Sequence, residues 1–227
     1  MPVRKKAPED LTAKKALALE VIRRLKAEYP DAGCTLDYDH AWQLLVSVRL
    51  AAQCTDARVN IVVEELFAKY PSVAALAEPE DIEAIVKPCG LGHSKARDIS
   101  ACMRMLRDKY DCRVPNTFEE LLALPGVGRK SANLIMGDVF GKPAIVTDTH
   151  CIRLCNKIGL VDGIKEPQKV EMALWKIIPP EEGSDLCHRF VMHGRAVCNA
   201  RKPECEKCCL KDICRTAREA AGQQAEP

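Results

Sequence analysis

A short segment with two glycines, Leu124–Lys130, constrains this chain more than any other feature, because it separates two helical patterns by only a few residues. Residues 117–124 carry the apolar spacing of an amphipathic helix, and a second such pattern begins at residue 131. Glycines on either side of one apolar residue allow the backbone to turn tightly. The sequence therefore predicts a helix-hairpin-helix over residues 117–138, with Val127 filling the apolar gap beneath the turn.

The same hairpin predicts an anion-binding site. Its backbone N–H groups, together with the start of the following helix, favour a phosphate oxygen. Phosphate contacts of this kind position a nucleic-acid duplex without reading its bases. The predicted contact residues are Gly126, Val127, Gly128 and Arg129. The alternative is an ordinary helix-ending glycine turn followed by a surface lysine, because a lone pair of glycines is a weak motif.

Lys130 and Asp148 are the predicted catalytic residues. A lysine is a nucleophile only as the neutral amine, and both burial and the positive end of a helix favour loss of its proton. Asp148 lies in a Val-Thr-Asp-Thr-His segment at the predicted start of another helix, and its carboxylate can accept that proton. This pair suits displacement at a sugar C1′ carbon, where the anion stabilises oxocarbenium character. Plain N-capping is the alternative for Asp148, and the two roles are compatible.

The rest of the chain predicts an all-α protein with two domains. Its 227 residues are 47% hydrophobic but only 4% aromatic, and the dominant apolar period is helical. No segment alternates convincingly as a strand would. The net charge of +2 neither requires nor excludes a polyanionic partner. Met1–Lys6 leads into no apolar signal segment, so we expect a protein without membrane association that is cytoplasmic, and nucleoid-associated if bacterial.

Helices are predicted wherever apolar residues recur every three or four positions between stop signals. Beyond the hairpin pair, the expected ranges are 10–29, 41–52, 56–70, 80–86, 94–110, 149–158, 167–178 and 185–197. We expect Asp39 to cap the helix at 41–52, and Pro30 and Pro71 to end the helices that precede them. The tail from Ala220 to Pro227 is expected to be disordered.

Four of the 13 cysteines lie close together near the C-terminus. Cys198, Cys205, Cys208 and Cys214 are separated by six, two and five residues, a density that predicts a metal site. A [4Fe-4S] cluster fits this spacing better than zinc, because zinc knuckles usually pair across a longer spacer. Cys209 is expected to be a bystander. The other eight are expected to be mostly buried thiols: Cys34, Cys54, Cys89, Cys102, Cys112, Cys151, Cys155 and Cys187.

Two further sets of residues are candidate DNA contacts, each with a plain structural alternative. Arg201 and Lys202 lie between the first two clustered cysteines and could touch the DNA backbone, although a solvated loop explains them equally well. Gly90–Ala96 is similar to the hairpin segment, and an exposed loop carrying Leu91 would suit insertion into a distorted duplex. Ordinary helix capping is the alternative there.

Together, the Leu-Pro-Gly-Val-Gly-Arg-Lys hairpin, the Val-Thr-Asp-Thr-His segment and the four-cysteine spacing resemble endonuclease III, a helix-hairpin-helix family of DNA glycosylases and apurinic-site lyases. The resemblance covers nearly the whole chain. It implies a six-helix domain over residues 33–142, a discontinuous iron-sulfur domain made of residues 1–32 plus 143–227, and a DNA-binding cleft between the two. It also implies double-stranded DNA with damaged pyrimidines or abasic sites as the partner, with the damaged base flipped out of the duplex.

Carried onto this sequence, the resemblance implies Lys130 as the nucleophile, Asp148 as the catalytic carboxylate and the four clustered cysteines as [4Fe-4S] ligands. Gln53, in a Leu-Ala-Ala-Gln-Cys-Thr-Asp segment, and Leu91 look like the side chains that fill the gap left by a flipped base. Helix termination is the alternative for Gln53. His193 also matches a family position and is interpreted as structural.

Two other functions compete with this interpretation. An adenine-mismatch glycosylase of the same superfamily is the nearest, but those enzymes lack a lysine at the hairpin position and carry an additional C-terminal domain. A non-catalytic DNA-binding or electron-transfer protein built around the cluster is the alternative from another class. Lys130 and Asp148 argue against it, because binding alone requires neither. We expect the protein to be a monomer.

Overall fold

The computed structural model describes residues 11–222, and the chain divides into two compact units. The hairpin unit is Cys34–Lys142, and the cysteine unit combines the chain up to Gly33 with the chain from Pro143 onward. Residues 11–222 contain helices and turns and no β-strand, so the predicted all-α fold is confirmed. Crossing a lipid bilayer would take a longer and more apolar helix than any in the described part of the chain.

Twelve α-helices and three 3-10 helices make up the regular structure of the described residues. The α-helices are α1 (Leu11–Glu28), α2 (Ala41–Leu50), α3 (Asp56–Lys69), α4 (Val73–Ala77), α5 (Ile82–Val86), α6 (Gly92–Tyr110), α7 (Phe118–Ala123), α8 (Arg129–Asp138), α9 (Thr149–Ile158), α10 (Pro167–Leu174), α11 (Gly183–Ala196) and α12 (Arg215–Ala220). The 3-10 helices are Lys87–Cys89, Pro180–Glu182 and Cys205–Lys207. The hairpin unit thus holds the seven helices α2 to α8, two of them only five residues long, where the resemblance implied six.

Most helices predicted from periodicity are present, with bounds that shift by a few residues. Helix α9 has the predicted range, α6 begins two residues earlier, at Gly92, and α10 ends four residues earlier, at Leu174. Helices α4 and α12, of five and six residues, were not predicted. The predicted helix start at residue 10 and the tail from residue 223 lie outside the described residues.

The predicted N-cap of α2 was wrong. His40 occupies the N-cap position, one residue after Asp39. The side-chain carbonyl of Gln43 accepts hydrogen bonds from the backbone N–H groups of Asp39 (2.7 Å) and His40 (2.8 Å). A glutamine at the third helical position therefore closes this helix start, as in a capping box, and the Asp39 carboxylate is not needed there.

The core of the hairpin unit forms around α6, its longest helix. Ile99, Met103 and Leu106 of α6 are buried together with Leu44 of α2 and Leu66 of α3. Burying one such side chain stabilises a fold by about 1.5–3 kcal/mol. The remaining helices of this unit pack on this cluster, and Val127 of the hairpin turn contacts it from a partly buried position.

All 13 cysteines are free thiols, so the prediction against a disulfide framework is confirmed. Those predicted to lie in the core and found buried are Cys89, Cys102, Cys151, Cys155 and Cys187. Cys34 and Cys54 are only partly buried, and the prediction for Cys112 was wrong. Cys112 is exposed because it lies just beyond the end of α6, with φ 58°, where the chain leaves the core.

Candidate active site and cysteine cavity

The hairpin between α7 and α8 depends on the glycine at position 126. Gly126 has φ +75°, in the left-handed region, and a Cβ atom built on it would lie 3.0 Å from Asp98 Cβ. The backbone N–H of Val127 donates a 3.1 Å hydrogen bond to the carbonyl of Leu124 and closes the turn. The predicted helix-hairpin-helix is therefore present, with its turn held close to α6.

Gly128 has a different reason to be glycine. Its backbone is extended (φ −99°, ψ 177°), a conformation that any residue adopts, and a Cβ atom there would meet no atom within 4 Å. Gly128 is the N-cap of α8, and no side chain caps this helix start. The first N–H groups of a helix have no intrahelical acceptor. Glycine at this position leaves them uncovered and free for a ligand to approach closely.

An ion pair between Arg49 of α2 and Asp98 of α6 packs against the hairpin turn. Arg49 Nη2 lies 2.8 Å from Asp98 Oδ2 and 3.0 Å from Ser94 Oγ, and the two charged side chains are each 18% exposed. Burial raises the pKa of Asp98, but hydrogen bonds from Arg49 and Arg97 outweigh it, so the pKa is lower than usual. A Cβ on Gly126 would also lie 3.1 Å from Arg49 Cδ. The turn thus packs directly on this ion pair.

Lys130 is the second residue of α8, and its side chain is exposed. Helix α8 buries Ala132, Asn133 and Ile135, and position 130 lies on roughly the opposite face. The predicted location at the positive end of a helix does hold.

Arg129, a predicted phosphate contact, is partly buried. Its guanidinium lies over the Phe118 ring, 4.8 Å from the ring centroid. This cation–π contact joins the first residue of α8 to the first residue of α7. The sequence interpretation missed it, because the two residues are 11 positions apart and only the turn brings them together. Arg129 therefore also braces the hairpin.

Asp148 is the N-cap of α9, in the cysteine unit. Its Oδ1 accepts a 2.7 Å hydrogen bond from the backbone N–H of Cys151, and the side chain is half-buried. The preceding residues, 144–147, are buried. The capping role considered as the alternative is therefore real, and it fixes the orientation of the carboxylate at the end of a buried segment. A catalytic role is compatible with this geometry, because the second carboxylate oxygen, Oδ2, takes no part in that hydrogen bond.

The four predicted cluster ligands line one cavity of the cysteine unit. Cys198, Cys205, Cys208 and Cys214 all line this cavity, which is partly open to solvent and has a volume of about 50 Å³ for the centres of water-sized spheres. Cys209 is not among the residues that line it. Within residues 11–222, no three His, Cys, Asp or Glu side chains converge closely enough to hold a single metal ion. Four thiols around one larger cavity fit a cubane better than one tetrahedral ion, because each thiolate of a cubane binds a different iron atom.

Two of the cavity's cysteines also contact α9. The side chain of Arg153 donates a 2.7 Å hydrogen bond to the carbonyl of Cys198, and the thiol of Cys214 donates to the carbonyl of Lys157 at 3.4 Å. The same helix carries Asp148 at its N-cap. A single ten-residue helix therefore connects the predicted catalytic carboxylate to the cysteine cavity within the cysteine unit.

His193 also belongs to the surroundings of this cavity, a contact that the sequence interpretation missed. Its ring is buried, with Nε2 3.3 Å from Cys208 Sγ and Nδ1 3.1 Å from the Tyr29 hydroxyl. Burial lowers the pKa of His193. The nearest sequence signal is its position five residues before Cys198, which alone does not distinguish a histidine beside a ligand from a core histidine.

The two predicted duplex-filling residues, Gln53 and Leu91, share an unusual backbone. Both are exposed, and both have positive φ, 58° and 53°. Positive φ is uncommon for residues other than glycine, and for a bulky side chain it is strained. Arg201 and Lys202 are exposed as well, with the Lys202 N–H donating to Asn199 Oδ1 at 2.7 Å. For these four residues, DNA contact remains a prediction.

Comparison with known proteins defines the class to which this fold and these residues belong. The family model of HhH-GPD superfamily base excision DNA repair proteins matches residues 46–180. Endonuclease III of Synechocystis sp. is 42% identical over 210 residues, which cover 91% of this chain and 95% of that protein. The chain therefore belongs to the HhH-GPD superfamily, with the endonuclease III type of DNA glycosylase and apurinic-site lyase as its enzyme class.

Solved structures agree with the family. A non-covalent endonuclease III–DNA complex is 40% identical, with a TM-score of 0.85, and the match covers 92% of this chain and 98% of that one. A trapped endonuclease III–DNA covalent intermediate, with an estranged adenine, gives the same identity and TM-score over 91% and 98% of the two chains. The predicted family and helix-hairpin-helix fold are thereby confirmed.

Alanine substitution at the two hairpin glycines should affect different properties, namely stability at Gly126 and DNA binding at Gly128. Gly126→Ala should destabilise the protein, because Cβ would meet the Arg49–Asp98 pair and φ is positive. Gly128→Ala should cost less than about 1 kcal/mol of stability. It should nevertheless weaken binding to a duplex with a non-cleavable abasic analogue by about tenfold, by covering the helix start. Thermal unfolding and fluorescence anisotropy measure the two effects. Gly33→Ala, also in open space, is the control, and wild-type affinity of Gly128→Ala would contradict the assignment.

The Arg49–Asp98 pair predicts a pH-dependent stability. Asp98→Asn should lower the free energy of unfolding at neutral pH by about 1 kcal/mol, since both partners are partly exposed. The pKa of Asp98 is depressed in the folded state, so its stabilisation is complete above the unfolded-state pKa and is lost as the pH falls through the folded-state pKa. Urea unfolding should show the difference between wild type and variant narrowing below about pH 4. If the difference in the free energy of unfolding between wild type and Asp98→Asn stays the same down to about pH 2, the ionised Asp98 carboxylate is not its cause.

Proposed function

We propose that this protein removes oxidised pyrimidines from double-stranded DNA and then cuts the strand by β-elimination through a Schiff base on Lys130. The observation that carries the proposal is the exposed amine of Lys130 in the first turn of α8, two residues after a helix start that no side chain caps. The uncapped N–H groups would hold the phosphate, and the amine would reach the adjoining sugar. The trapped endonuclease III–DNA covalent intermediate among the similar structures supports this chemistry.

In the first step, the Lys130 amine forms a bond to the sugar C1′ carbon, and the base leaves with the electrons of the glycosidic bond and takes up a proton. The attacking nitrogen must lose its own proton. Asp148, oriented by the bond from Cys151, is the proposed acceptor, and its negative charge also stabilises oxocarbenium character at C1′.

In the second step, the C1′–O4′ bond breaks, its electrons and a proton go to O4′, and C1′ becomes the carbon of a protonated Schiff base. This imine acidifies the C2′ proton. Loss of that proton to a base expels the 3′ phosphate with the electrons of its C–O bond, which cuts the strand. Because Lys130 is exposed in the protein alone, we propose that the bound sugar-phosphate chain covers the amine and excludes water from it.

We propose that Cys198, Cys205, Cys208 and Cys214 hold a [4Fe-4S] cluster. All four line one cavity, while no three potential ligands within residues 11–222 converge as a single zinc ion requires. When bound, such a cluster cross-links the loop of residues 198–214 through four iron–thiolate bonds. Arg201 and Lys202, exposed on this loop, are the proposed contacts to the DNA backbone. The reaction on the sugar does not pass through the cluster.

Gln53 and Leu91 are the proposed duplex-filling side chains. Leu91 is 58% exposed, so its side chain is accessible to a bound duplex. Gln53 carries an amide that can replace hydrogen bonds lost by an unpaired base. Strained, exposed residues that the surrounding structure holds in place are common at functional sites. We further propose that one chain suffices, because the same chain supplies both catalytic residues.

The nucleophile is tested by Lys130→Gln, which keeps a polar side chain of similar size and removes the amine. On a duplex with thymine glycol, the wild type should release the base, and borohydride should reduce the Schiff base to a stable covalent complex. The variant should do neither. Lys69→Gln, an exposed lysine at the end of α3, is the matched control and should behave as wild type. If Lys130→Gln still forms the covalent complex with borohydride, another residue is the nucleophile. If the wild type forms no such complex, the proposed function is wrong.

The cluster is tested by serine substitutions, which remove one sulfur at a time. Purified wild type should be brown and contain four iron and four sulfide per chain. Cys198→Ser and Cys208→Ser should lose most of this iron, because a missing thiolate leaves one iron without its ligand. Cys209→Ser should retain iron and colour, since Cys209 does not line the cavity. Stoichiometric zinc in a colourless wild type, or iron loss confined to Cys209→Ser, would contradict the assignment.

A further inference from the structure

Lys95 is a lysine in the interior of the hairpin unit. It lies in the first turn of α6 and is completely inaccessible to solvent. Its Nζ donates one hydrogen bond of 2.8 Å to the carbonyl of Leu50 and another of 2.7 Å to the carbonyl of Cys89. Lysine is almost never fully buried without a partner. Here the partners are two backbone carbonyls.

Both acceptors are the last residues of helices. Leu50 ends α2, and Cys89 ends the 3-10 helix Lys87–Cys89. Carbonyls in the last turn of a helix have no intrahelical donor, and the partial negative charge of a helix end favours a cation. Burial lowers the pKa of Lys95. A neutral amine still has two N–H groups, so both hydrogen bonds can form in either protonation state.

Each of these two helix ends leads into one of the strained loops. The Gln53 loop, residues 51–55, follows Leu50, and the Leu91 loop, residues 90–91, follows Cys89. The backbone N–H of Lys95 also donates a 3.0 Å hydrogen bond to the carbonyl of Leu91. The Lys95 side chain and backbone together thus hold both loops.

A second contact joins the loops beside Lys95. The thiols of Cys54, next to Gln53, and Cys89 lie close enough to interact electrostatically with each other and with the Lys95 amine. The loops are therefore neighbours through their own side chains as well. No acidic side chain contributes to the electrostatic surroundings of Lys95, which consist of these two cysteines and Arg49. An ion pair is therefore not the reason for a lysine at this position.

We propose that Lys95 is a positioning residue that fixes the spacing between the Gln53 and Leu91 loops, so that both side chains enter the duplex together when a base is flipped out. The inference rests on the proposed function of these two residues in filling the duplex. The amine touches neither DNA nor the reacting atoms. It acts by satisfying two carbonyls at once, which ties the end of α2 to the end of the 3-10 helix.

The test uses Lys95→Met, which keeps an unbranched side chain but removes both donors. A duplex with 2-aminopurine opposite a non-cleavable abasic analogue reports the loops, because the reporter base fluoresces more when it is unstacked. At saturating protein, the variant should give a fluorescence gain at least about threefold smaller than that of wild type. Removing the two bonds leaves two buried carbonyls unsatisfied, so some loss of thermal stability is expected as well.

A kinetic comparison separates positioning from general destabilisation. Excision of thymine glycol from a duplex requires the gap to be filled, whereas cleavage at an abasic site in a single strand does not. Lys95→Met should slow the first reaction by about tenfold and the second by less than about twofold. Leu106→Ala, a buried position near the other end of α6, is the matched control. It should lose stability but keep the fluorescence gain and slow the two reactions equally.

Combining the Lys95 substitution with substitutions in the two loops gives a further test. If Lys95 acts through these side chains, its substitution should have little additional effect in a Gln53→Ala/Leu91→Ala background. Should Lys95→Met fail to fold, Lys95→Gln, whose shorter amide cannot reach both carbonyls, takes its place in each measurement. A wild-type fluorescence gain in the folded variant, or equal slowing on the duplex and the single strand, would overturn the proposal. The abasic analogue requires no catalysis, so this outcome is distinct from a failure of the proposed glycosylase and lyase activity.

Discussion

The cysteine unit depends on the rigidity of α9. Ten residues of α-helix span about 15 Å. At one end Asp148 is fixed by the N–H of Cys151, and further along Arg153 and the carbonyl of Lys157 contact Cys198 and Cys214. A helix transmits a change of position at one end to the other, because its own hydrogen bonds resist bending. The orientation of Asp148, the proposed catalytic carboxylate, and the shape of the cysteine cavity therefore both depend on α9.

Long basic side chains hold many of the helix ends in this protein. A chain of many short helices has many helix ends, and each leaves carbonyls without an intrahelical donor. Lysine and arginine side chains fill this role at several helix ends of the described residues, namely Lys95 on Leu50 and Cys89, Arg104 on Ala77, Arg153 on Gly194, and Arg215 on Asn156. A share of the 34 basic residues is thus used inside the fold. Counting cations therefore cannot locate a DNA surface in such a protein, and exposure and local backbone geometry are better guides.

The sequence was sufficient wherever a local pattern determines structure. The hairpin at Gly126 follows from glycine stereochemistry, and the cap at Asp148 from the preference of helix starts for aspartate. It did not predict structure that depends on contacts between segments far apart in the sequence. A lysine in a first turn normally predicts a surface position, and nothing local shows that two helix ends converge on Lys95. Lys130, in the first turn of α8, does have the exposed position that such a lysine normally takes.

Positive backbone φ angles separate structural strain from the strain that accompanies function. Four non-glycine residues within 11–222 adopt them: Gln53, Leu91, Asp111 and Cys112. Asp111 and Cys112 end α6, where the Cys112 N–H donates to the carbonyl of Leu106, so helix termination accounts for their geometry. Gln53 and Leu91 differ, because each lies in a short loop between two helices, and Leu91 is the N-cap of α6, where extended backbone is usual. Such a conformation costs about 1–3 kcal/mol per residue, and it persists here because Lys95 and the helix ends around it fix both loops. Two exposed, strained side chains anchored on one buried amine are the arrangement that a rigid insertion into DNA requires, since a flexible loop would lose entropy on entering the duplex and bind more weakly.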